Sequence, residues 1–443
     1  MDFALIETDT TDIYKEINSM NNNFRRYIIF WLSQALSQLG SSMTGFALTL
    51  WAYTQKGTAM TISLMTFFNY VPYIIASLFA GTFVDRHSKK KIMLVSDSIA
   101  AICSIGILVL YTKNALQIWS IYLVNFMIGF MEAFQEPAST VAIGKVVPKE
   151  KLTQVSGLNS FSSNLVRVLS PVLAASMFAL GSLKLILVID LTTFLFAFSV
   201  LVFVLRIPED LSQNIEKKSA LTGCREGIRY LMQNHGILIV IITMALLNFF
   251  SRLTYENILS PMILSRSAND SVALGIVNAV IGVGGIIGGI IVSTGKVKAN
   301  NAKMIYISAM LSFLLGDITM GLGRNVLFWS FGGLMASLPI PFINAGQMVI
   351  LYQNVPEEIQ GRIFAVRNAL QVSSIPIGVL LGGYLADYVF EPYMCTESAI
   401  ARFLHILVGN GMGSGMAVMF LCTGILGALY SFIFYQRKDI RNL

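Results

Sequence analysis

The sequence predicts an all-α integral membrane protein with twelve transmembrane helices in two six-helix repeats. Of its 443 residues, 55% are hydrophobic and only 12% are charged, whereas a soluble domain carries roughly 25% charge. The apolar residues form twelve runs that are long enough to cross a bilayer. A polar stretch after the sixth run divides the chain, and short similarities recur in the two halves.

Each apolar run is interpreted as a helix, because lipid offers the backbone no other partners and no pattern of short alternating strands is visible. The first six runs lie at roughly 27–53, 59–84, 92–112, 117–144, 153–181 and 184–205. The second six lie at roughly 237–264, 271–293, 303–323, 326–353, 359–388 and 411–435. The expected parts are an N-terminal tail (1–23), a first bundle (24–205), a central loop (206–235), a second bundle (236–435) and a C-terminal tail (436–443).

The distribution of Lys and Arg orients the chain. Of the 31 basic residues, 22 lie in the two tails and in the loops that an even number of spans places on the same side, against six in the opposite loops. Cytoplasmic loops carry the excess of positive charge. We therefore expect a plasma-membrane protein with both termini in the cytoplasm. The four cysteines lie far apart and lack the spacing of a metal site or a redox pair. We expect neither a metal site nor a cofactor.

Short similarities between the halves indicate an internal repeat. Val147-Pro148 precedes the fifth run and Val355-Pro356 precedes the eleventh, and the same offset places Gly81 on Gly289 at the ends of the second and eighth runs. Paired repeats are typical of transporters whose substrate site lies between them at the bilayer midplane.

The charged loop from Gly81 to Lys91, GTFVDRHSKKK, resembles the signature loop of the major facilitator superfamily. The continuation of this loop to Met93 is similar to that of macrolide-efflux (Mef-type) members of the superfamily, as are Pro137-Ala138 with the Val-Pro segment after it, Ser170-Pro171, and Gly361-Arg362. This resemblance implies the major facilitator fold, a monomer, and alternating access.

The same resemblance implies secondary active export of an amphiphilic, macrolide-like antibiotic in exchange for protons. The expected partners are the lipid bilayer, the small amphiphilic substrate and protons, without nucleic acid. The chain has no GxxxxGK[ST] motif, so it is not expected to be an ATP-hydrolysing enzyme; an ATPase or other partner subunit encoded elsewhere stays open. The alternatives are an importer, a siderophore or lipid exporter, and a transport-dead membrane sensor or partner protein.

Four residues of the signature loop are candidates for a conformational latch: Gly81, Asp85, Arg86 and Lys90. The carboxylate of Asp85 can accept hydrogen bonds from a helix N-terminus or an arginine of the other half. The alternative is a simple positive-inside anchor. In the fifth run, Ser170, Pro171, Ala174 and Ala175 resemble the Gly-Pro-x-x-Gly-Gly antiporter motif, and they predict close packing at a kink; an ordinary bent helix is the alternative.

Charges inside the apolar runs are the best functional pointers, because each is costly in lipid. Glu132 and Glu136 lie one turn apart in the fourth run, and Arg167 lies in the fifth. A carboxylic acid in a low-dielectric cavity, or beside a second acid, holds its proton more readily. These three residues are the candidates for proton coupling. A static ion-pair cluster and substrate contact alone are the alternatives.

The second half offers candidates for substrate binding: Asp317, Glu256, Arg252 and Arg367. Asp317 has no basic residue within a helical turn, so it would suit a cationic amphiphile. Its alternative role is that of a packed acid, hydrogen-bonded to a neighbouring helix. Asp190 and Asp387 are interpreted as interfacial, because they lie near the ends of their runs.

Overall fold

The structure, a computed structural model, describes residues 3–147, 152–181, 183–205, 228–294 and 300–437. Most of the predicted central loop and the end of the C-terminal tail therefore lie outside the described residues. The helices run in chain order α1 Phe3–Lys56, α2 Ala59–Arg86, α3 Lys89–Thr112, α4 Ile118–Val146, α5 Leu152–Ala179, α6 Leu183–Phe203, α7 His235–Thr254, α8 Leu259–Arg266, α9 Ser271–Ser293, α10 Asn301–Leu311, α11 Ile318–Leu322, α12 Val326–Ser337, α13 Ile340–Asn354, α14 Glu357–Leu385, α15 Glu391–Met394, α16 Ala399–Val408 and α17 Ser414–Tyr435.

Eleven helical segments in the described part of the chain are long and apolar enough to cross a membrane. They match the second to twelfth predicted spans, and the first predicted span lies within α1. The all-α membrane fold is thereby confirmed. Helix α1 begins at Phe3, so the predicted tail is helical; residues 3–23 contain no Gly or Pro that would stop a helix.

Several spans are not single regular helices. The seventh span, His235–Arg266, consists of α7 and α8 with a turn at residues 255–258 between them. The ninth contains a π-helical turn, Ser312–Asp317, between α10 and α11. A second π-helical turn, Ala386–Phe390, follows α14. Such interruptions free backbone groups and are frequent at functional positions.

Helix starts follow the local sequence where a polar side chain can cap them. The Asp270 carboxylate accepts hydrogen bonds from the backbone N–H groups of Val272 and Ala273, at 2.9 and 3.1 Å, at the start of α9. The Ser88 hydroxyl accepts one from the N–H of Lys91, at 3.2 Å, at the start of α3. These caps satisfy N–H groups that have no partner within the helix.

The chain forms two compact units, and each has its own buried core. The first contains residues 1–45, 71–166 and 182–214, and the second contains 46–70, 167–181 and 215–443. The end of α1, the start of α2 and the second half of α5 therefore belong with the second unit. The division into bundles 24–205 and 236–435 remains a prediction. Large buried side chains include Tyr27 and Met93 in the first unit, and Trp329 and Phe420 in the second.

The segment after the eleventh run, for which the sequence gives no interpretation, is folded into α15 and α16. The Glu391 carboxylate accepts hydrogen bonds from the backbone N–H groups of Met416 and Gly413, at 2.9 and 3.2 Å. The Arg266 guanidinium donates to the carbonyl of Val408, and that of Arg324 donates to the carbonyl of Ile406 at 3.0 Å. Both ends of the segment are thus tied to neighbouring spans.

Replacing Glu391 by Ala is expected to destabilise the protein by about 1–2 kcal/mol, because a carboxylate at a helix N-terminus is lost from a site that remains partly buried. Thermal unfolding in detergent would measure the change. Glu397→Ala is the matched control, because Glu397 is exposed in the same segment, and we expect it to change stability by less than about 0.5 kcal/mol. Equal effects of the two substitutions would contradict the capping role.

Candidate functional site

Helix α4 carries two exposed acids on one face. Glu132 and Glu136 are one turn apart, and the Tyr73 hydroxyl of α2 donates a 2.7 Å hydrogen bond to the Glu136 carboxylate. Glu132 has no hydrogen-bond or ion-pair partner in the described part of the chain. Pro137, inside α4, cannot donate to the carbonyl of Ala133. Of the two acids, Glu136 is therefore hydrogen-bonded, whereas Glu132 is open to a ligand or a proton.

A third acid of the first unit was missed by the sequence reasoning. Asp97 of α3 accepts a 2.5 Å hydrogen bond from the Gln135 amide of α4. Gln135 directly precedes Glu136 in α4, so this hydrogen bond joins Asp97 to the helix that carries Glu132 and Glu136. Asp97 could have been found, since it is an acid within an apolar run. Asp97, Glu132 and Glu136 together give this unit three carboxyl groups on two neighbouring helices.

Asp190, which the sequence interprets as interfacial because it lies near the end of its run, is held among polar groups of three helices. Its side chain is buried, and it accepts hydrogen bonds from the hydroxyls of Ser41, at 2.8 Å, and Ser104, at 3.1 Å. Gly40 of α1 approaches its backbone so closely that a Cβ atom there would lie 3.0 Å from the Asp190 Cα. Asp190 thus joins α1, α3 and α6.

The four charged residues of the second unit that were expected to bind substrate lie in three different environments. Arg252 and Glu256 form an ion pair across the end of α7, with both side chains partly exposed. The Arg252 Nε also donates to the Asn248 side chain at 3.3 Å. Glu256 lies in the turn between α7 and α8, a broken span of the kind that binds substrates or ions in transporters.

Asp317 lies in the interior of the second unit. Its carboxylate accepts hydrogen bonds from the hydroxyls of Tyr255, at 3.0 Å, and Thr423, at 2.7 Å. Only 1% of the residue is exposed. This placement favours the packed acid over an open contact for a cationic substrate. Because Tyr255 lies in the α7–α8 turn, Asp317 joins its own π-helical turn to the break in the seventh span.

Arg167 and Arg367 have no described carboxylate partner. Arg167 is exposed on α5. The Arg367 guanidinium lies over the Phe364 ring, 5.4 Å from its centroid, and donates to the Asn368 side chain at 2.7 Å. A partly exposed guanidinium held by neutral groups can receive an anionic or hydrogen-bonding ligand.

The start of α2 is held by the end of the eleventh span. The Asp387 carboxylate accepts hydrogen bonds from the backbone N–H groups of Ala59, at 3.1 Å, and Met60, at 2.7 Å. Nearby, the buried Asn257 amide donates to the Ser63 hydroxyl at 2.8 Å and to the Val379 carbonyl at 2.6 Å. We name these residues, together with Gly383, the α2–α14 contact.

The sequence reasoning assigned no role to Asn257 or Ser63, and it interpreted Asp387 only as interfacial. A Cβ atom at Gly383 would lie 2.2 Å from the Ser63 Oγ and 3.2 Å from the Met60 Cα, so the two helices approach as closely as a glycine allows. No local signal identifies such partners, because they are separated by more than 190 residues.

The small residues of α5 also lie at a close approach. Ser170, Pro171, Ala174 and Ala175 are buried. A Cβ atom at Gly275 of α9 would lie 2.8 Å from the Ala175 Cβ and 2.9 Å from the Pro171 carbonyl oxygen. The Ser271 hydroxyl donates to the Ala175 carbonyl at 3.2 Å. This geometry is the one for which small residues at a helix interface are needed.

The candidate latch is described only in part. The surroundings of Gly81 and the side chain of Asp85 are not described, and Arg86 is exposed. The Lys90 ammonium donates to the carbonyls of Val202, at 2.9 Å, and Leu205, at 2.8 Å. Lys90 therefore stabilises the C-terminal end of α6, a contact within the first unit that the sequence did not predict. No described His, Cys, Asp and Glu side chains are grouped as metal ligands.

The chain is similar to known membrane transporters in sequence and in fold. The profile of the Major Facilitator Superfamily matches residues 30–379. Macrolide efflux protein A of Streptococcus pyogenes is 27% identical over 376 residues, which cover 83% of this chain and 91% of that protein. The multidrug efflux pump Tap of Mycolicibacterium fortuitum is 23% identical over 397 residues, with 83% and 91% covered.

Among solved structures, a bacterial homologue of the human lysosomal transporter Spinster, in an inward-facing and unoccupied conformation, superposes with a TM-score of 0.69. The match covers 94% of this chain and 97% of that one, at 13% identity. At this identity the likeness shows a shared fold.

Proposed function

The chain belongs to the major facilitator superfamily, and from this premise we propose that it exports an amphiphilic, macrolide-like compound from the cytoplasm in exchange for protons. Membrane transport is the activity of the superfamily, and efflux pumps are among the relatives of this chain. The finer proposal concerns the substrate class, the direction and the coupling ion. The pair of exposed acids on α4, Glu132 and Glu136, is the single observation that carries the coupling to protons, and the efflux relatives support the substrate class and the direction.

The acid pair supports proton coupling in three steps. An ionised carboxylate is costly inside a membrane-spanning segment, so an acid placed there is a natural proton carrier. The two carboxylates repel each other when both are ionised. The Tyr73 hydroxyl donates to Glu136, so Glu132 is the acid of the pair that remains open to a proton. Opening to the more alkaline side would release that proton.

The α2–α14 contact is proposed as the external gate, since the charge distribution places this end of the helices outside. Two backbone N–H groups at the start of α2 donate to Asp387, a contact that combines hydrogen bonds with the positive end of a helix dipole. The gate needs no buried cation. When the contact opens, no buried cation loses its partner, because the donors to Asp387 are backbone N–H groups. Water can take the place of these donors.

Replacing Asp387 by Asn is expected to open the gate more often. The amide keeps one acceptor oxygen but loses the charge, which costs about 1 kcal/mol and shifts the equilibrium roughly fivefold. The measurement is the labelling rate of Ser63→Cys by a membrane-impermeant maleimide added outside, in a background without other cysteines. Glu397→Gln, an exposed external acid, is the control. Unchanged labelling in Asp387→Asn would rule out this carboxylate as a gate residue.

The function itself is tested by expression in a drug-susceptible bacterium, followed by flux measurement in proteoliposomes with an imposed pH difference. We expect resistance to macrolides or related amphiphiles and substrate movement that stops when the pH difference is collapsed. Uptake instead of export, or selective transport of a siderophore, would replace the substrate and direction proposed. Absence of gradient-driven flux across a broad panel of compounds would favour the transport-dead partner.

A further inference from the structure

A groove of about 600 Å³ lies in the first unit, where the end of α2 and the start of α3 meet α4. It is separate from the acid pair. Phe130 and Phe134 line the groove, and Glu132 and Glu136 each lie two residues further along α4, which is about 200° around the helix. The acid pair and the groove therefore occupy opposite faces of α4.

One end of the groove is cationic. Arg86, His87 and Lys91 line it and are exposed. The His87 ring stacks on Phe83 with 4.0 Å between centroids, and its Nδ1 lies 2.8 Å from the Phe83 carbonyl oxygen. Neither Arg86 nor Lys91 forms an ion pair with another residue that the structure describes. Arg86 and Lys91 lie within three residues of the start of α3, whose dipole adds positive potential.

The other residues that line the groove are mainly apolar. Phe83, Val95 and Phe130 line it with 44%, 53% and 39% of their surfaces exposed. Phe134 lies between two of these rings, with centroids 5.4 Å from both Phe83 and Phe130. These exposed apolar side chains offer a surface that suits hydrocarbon.

We propose that the groove binds one anionic phospholipid of the adjacent leaflet. The headgroup phosphate lies between Arg86 and Lys91, and one acyl chain follows Phe83, Val95 and Phe130. No acid lines the groove among the described residues, so none of them offers a partner to the ammonium group of a zwitterionic lipid. A cationic amphiphile is repelled by the same cations, and free phosphate makes no use of the apolar half. Basic pockets between transmembrane helices select anionic headgroups for this reason.

Native mass spectrometry of the intact protein, titrated with phosphatidylglycerol or phosphatidylethanolamine, tests the proposal. We expect phosphatidylglycerol to be retained in preference. The double variant Arg86→Gln/Lys91→Gln should weaken its retention roughly thirtyfold, the combined effect of two cations near an anionic headgroup. Lys113→Gln, which removes an exposed cation at the other end of α3, should have no effect.

A second variant separates an acyl-chain site from simple charge attraction. Val95→Trp fills the apolar half without changing charge, and we expect it to reduce phosphatidylglycerol retention at least tenfold, while inorganic phosphate fails to compete. Equal retention of the two lipids would overturn the proposal. Unchanged retention in Val95→Trp, or equal losses in Lys113→Gln and the double variant, would do so as well. Thermal unfolding of each variant checks that the fold is intact.

Discussion

Replacing Glu132 and Glu136 together by Gln is expected to abolish concentrative export while substrate binding is retained. Gln keeps the size and the hydrogen-bonding capacity of Glu but cannot carry a proton across the membrane. A pH difference of one unit supplies about 1.4 kcal/mol per proton, so one-for-one exchange can build at most a roughly tenfold substrate gradient. Without coupling, that ratio should fall to one.

Substrate accumulation in inside-out vesicles, measured with and without an imposed pH difference, would reveal the loss. The single variants separate the roles of the two acids. Glu132→Gln should remove coupling. Glu136→Gln keeps Glu132 but loses the charge that receives the Tyr73 hydrogen bond. Glu397→Gln is the matched control and should transport normally. Normal pH-driven accumulation by the double variant would refute the assignment and direct attention to Asp97.

Gly383→Ala is expected to arrest transport by holding the external gate open. The added Cβ atom would lie 2.2 Å from the Ser63 Oγ and 2.8 Å from its Cβ. A side chain can rotate its hydroxyl away, but the Cβ atom is fixed to the backbone. Overpacking of this kind costs about 1–3 kcal/mol, which would disfavour the closed contact roughly 5- to 150-fold.

Flux in proteoliposomes together with external labelling would measure the effect of Gly383→Ala. Ser63→Gly removes both of the contacting atoms, so the double variant Ser63→Gly/Gly383→Ala should recover transport in part. Gly289→Ala is the control, because a Cβ atom there would meet nothing within 4 Å. Full activity of Gly383→Ala, or no recovery in the double variant, would argue against a gate at this position.

The spans were predictable because hydropathy and capping act locally. The eighth run was predicted at 271–293, and α9 is Ser271–Ser293, since Asp270 caps its start and a loop with basic residues follows its end. The breaks within spans were not predictable. The run predicted at 237–264 is divided by a turn at 255–258. In this turn the Asn257 side chain donates hydrogen bonds to Ser63 and Val379, which are distant in the sequence.

The candidate site was predictable to the extent that charge in lipid is rare. This rule identified Glu132, Glu136 and Asp317, and it would have identified Asp97. It could not say that Asp317 is enclosed by Tyr255 and Thr423, or that Asp387 receives the amides of α2. Both facts depend on helices that are distant in the sequence.

The sequence by itself determined the membrane-spanning class, the position of the spans and the family, because apolar length, positive charge and a short loop motif are properties of neighbouring residues. The tertiary structure alone decided which acid faces open space, which is packed, and where α2 meets α14. The contact of α2 with α14 depends on the close approach of the two helices at Gly383. Asp317 is packed because Tyr255 and Thr423, which are 62 and 106 residues away in the sequence, donate hydrogen bonds to it.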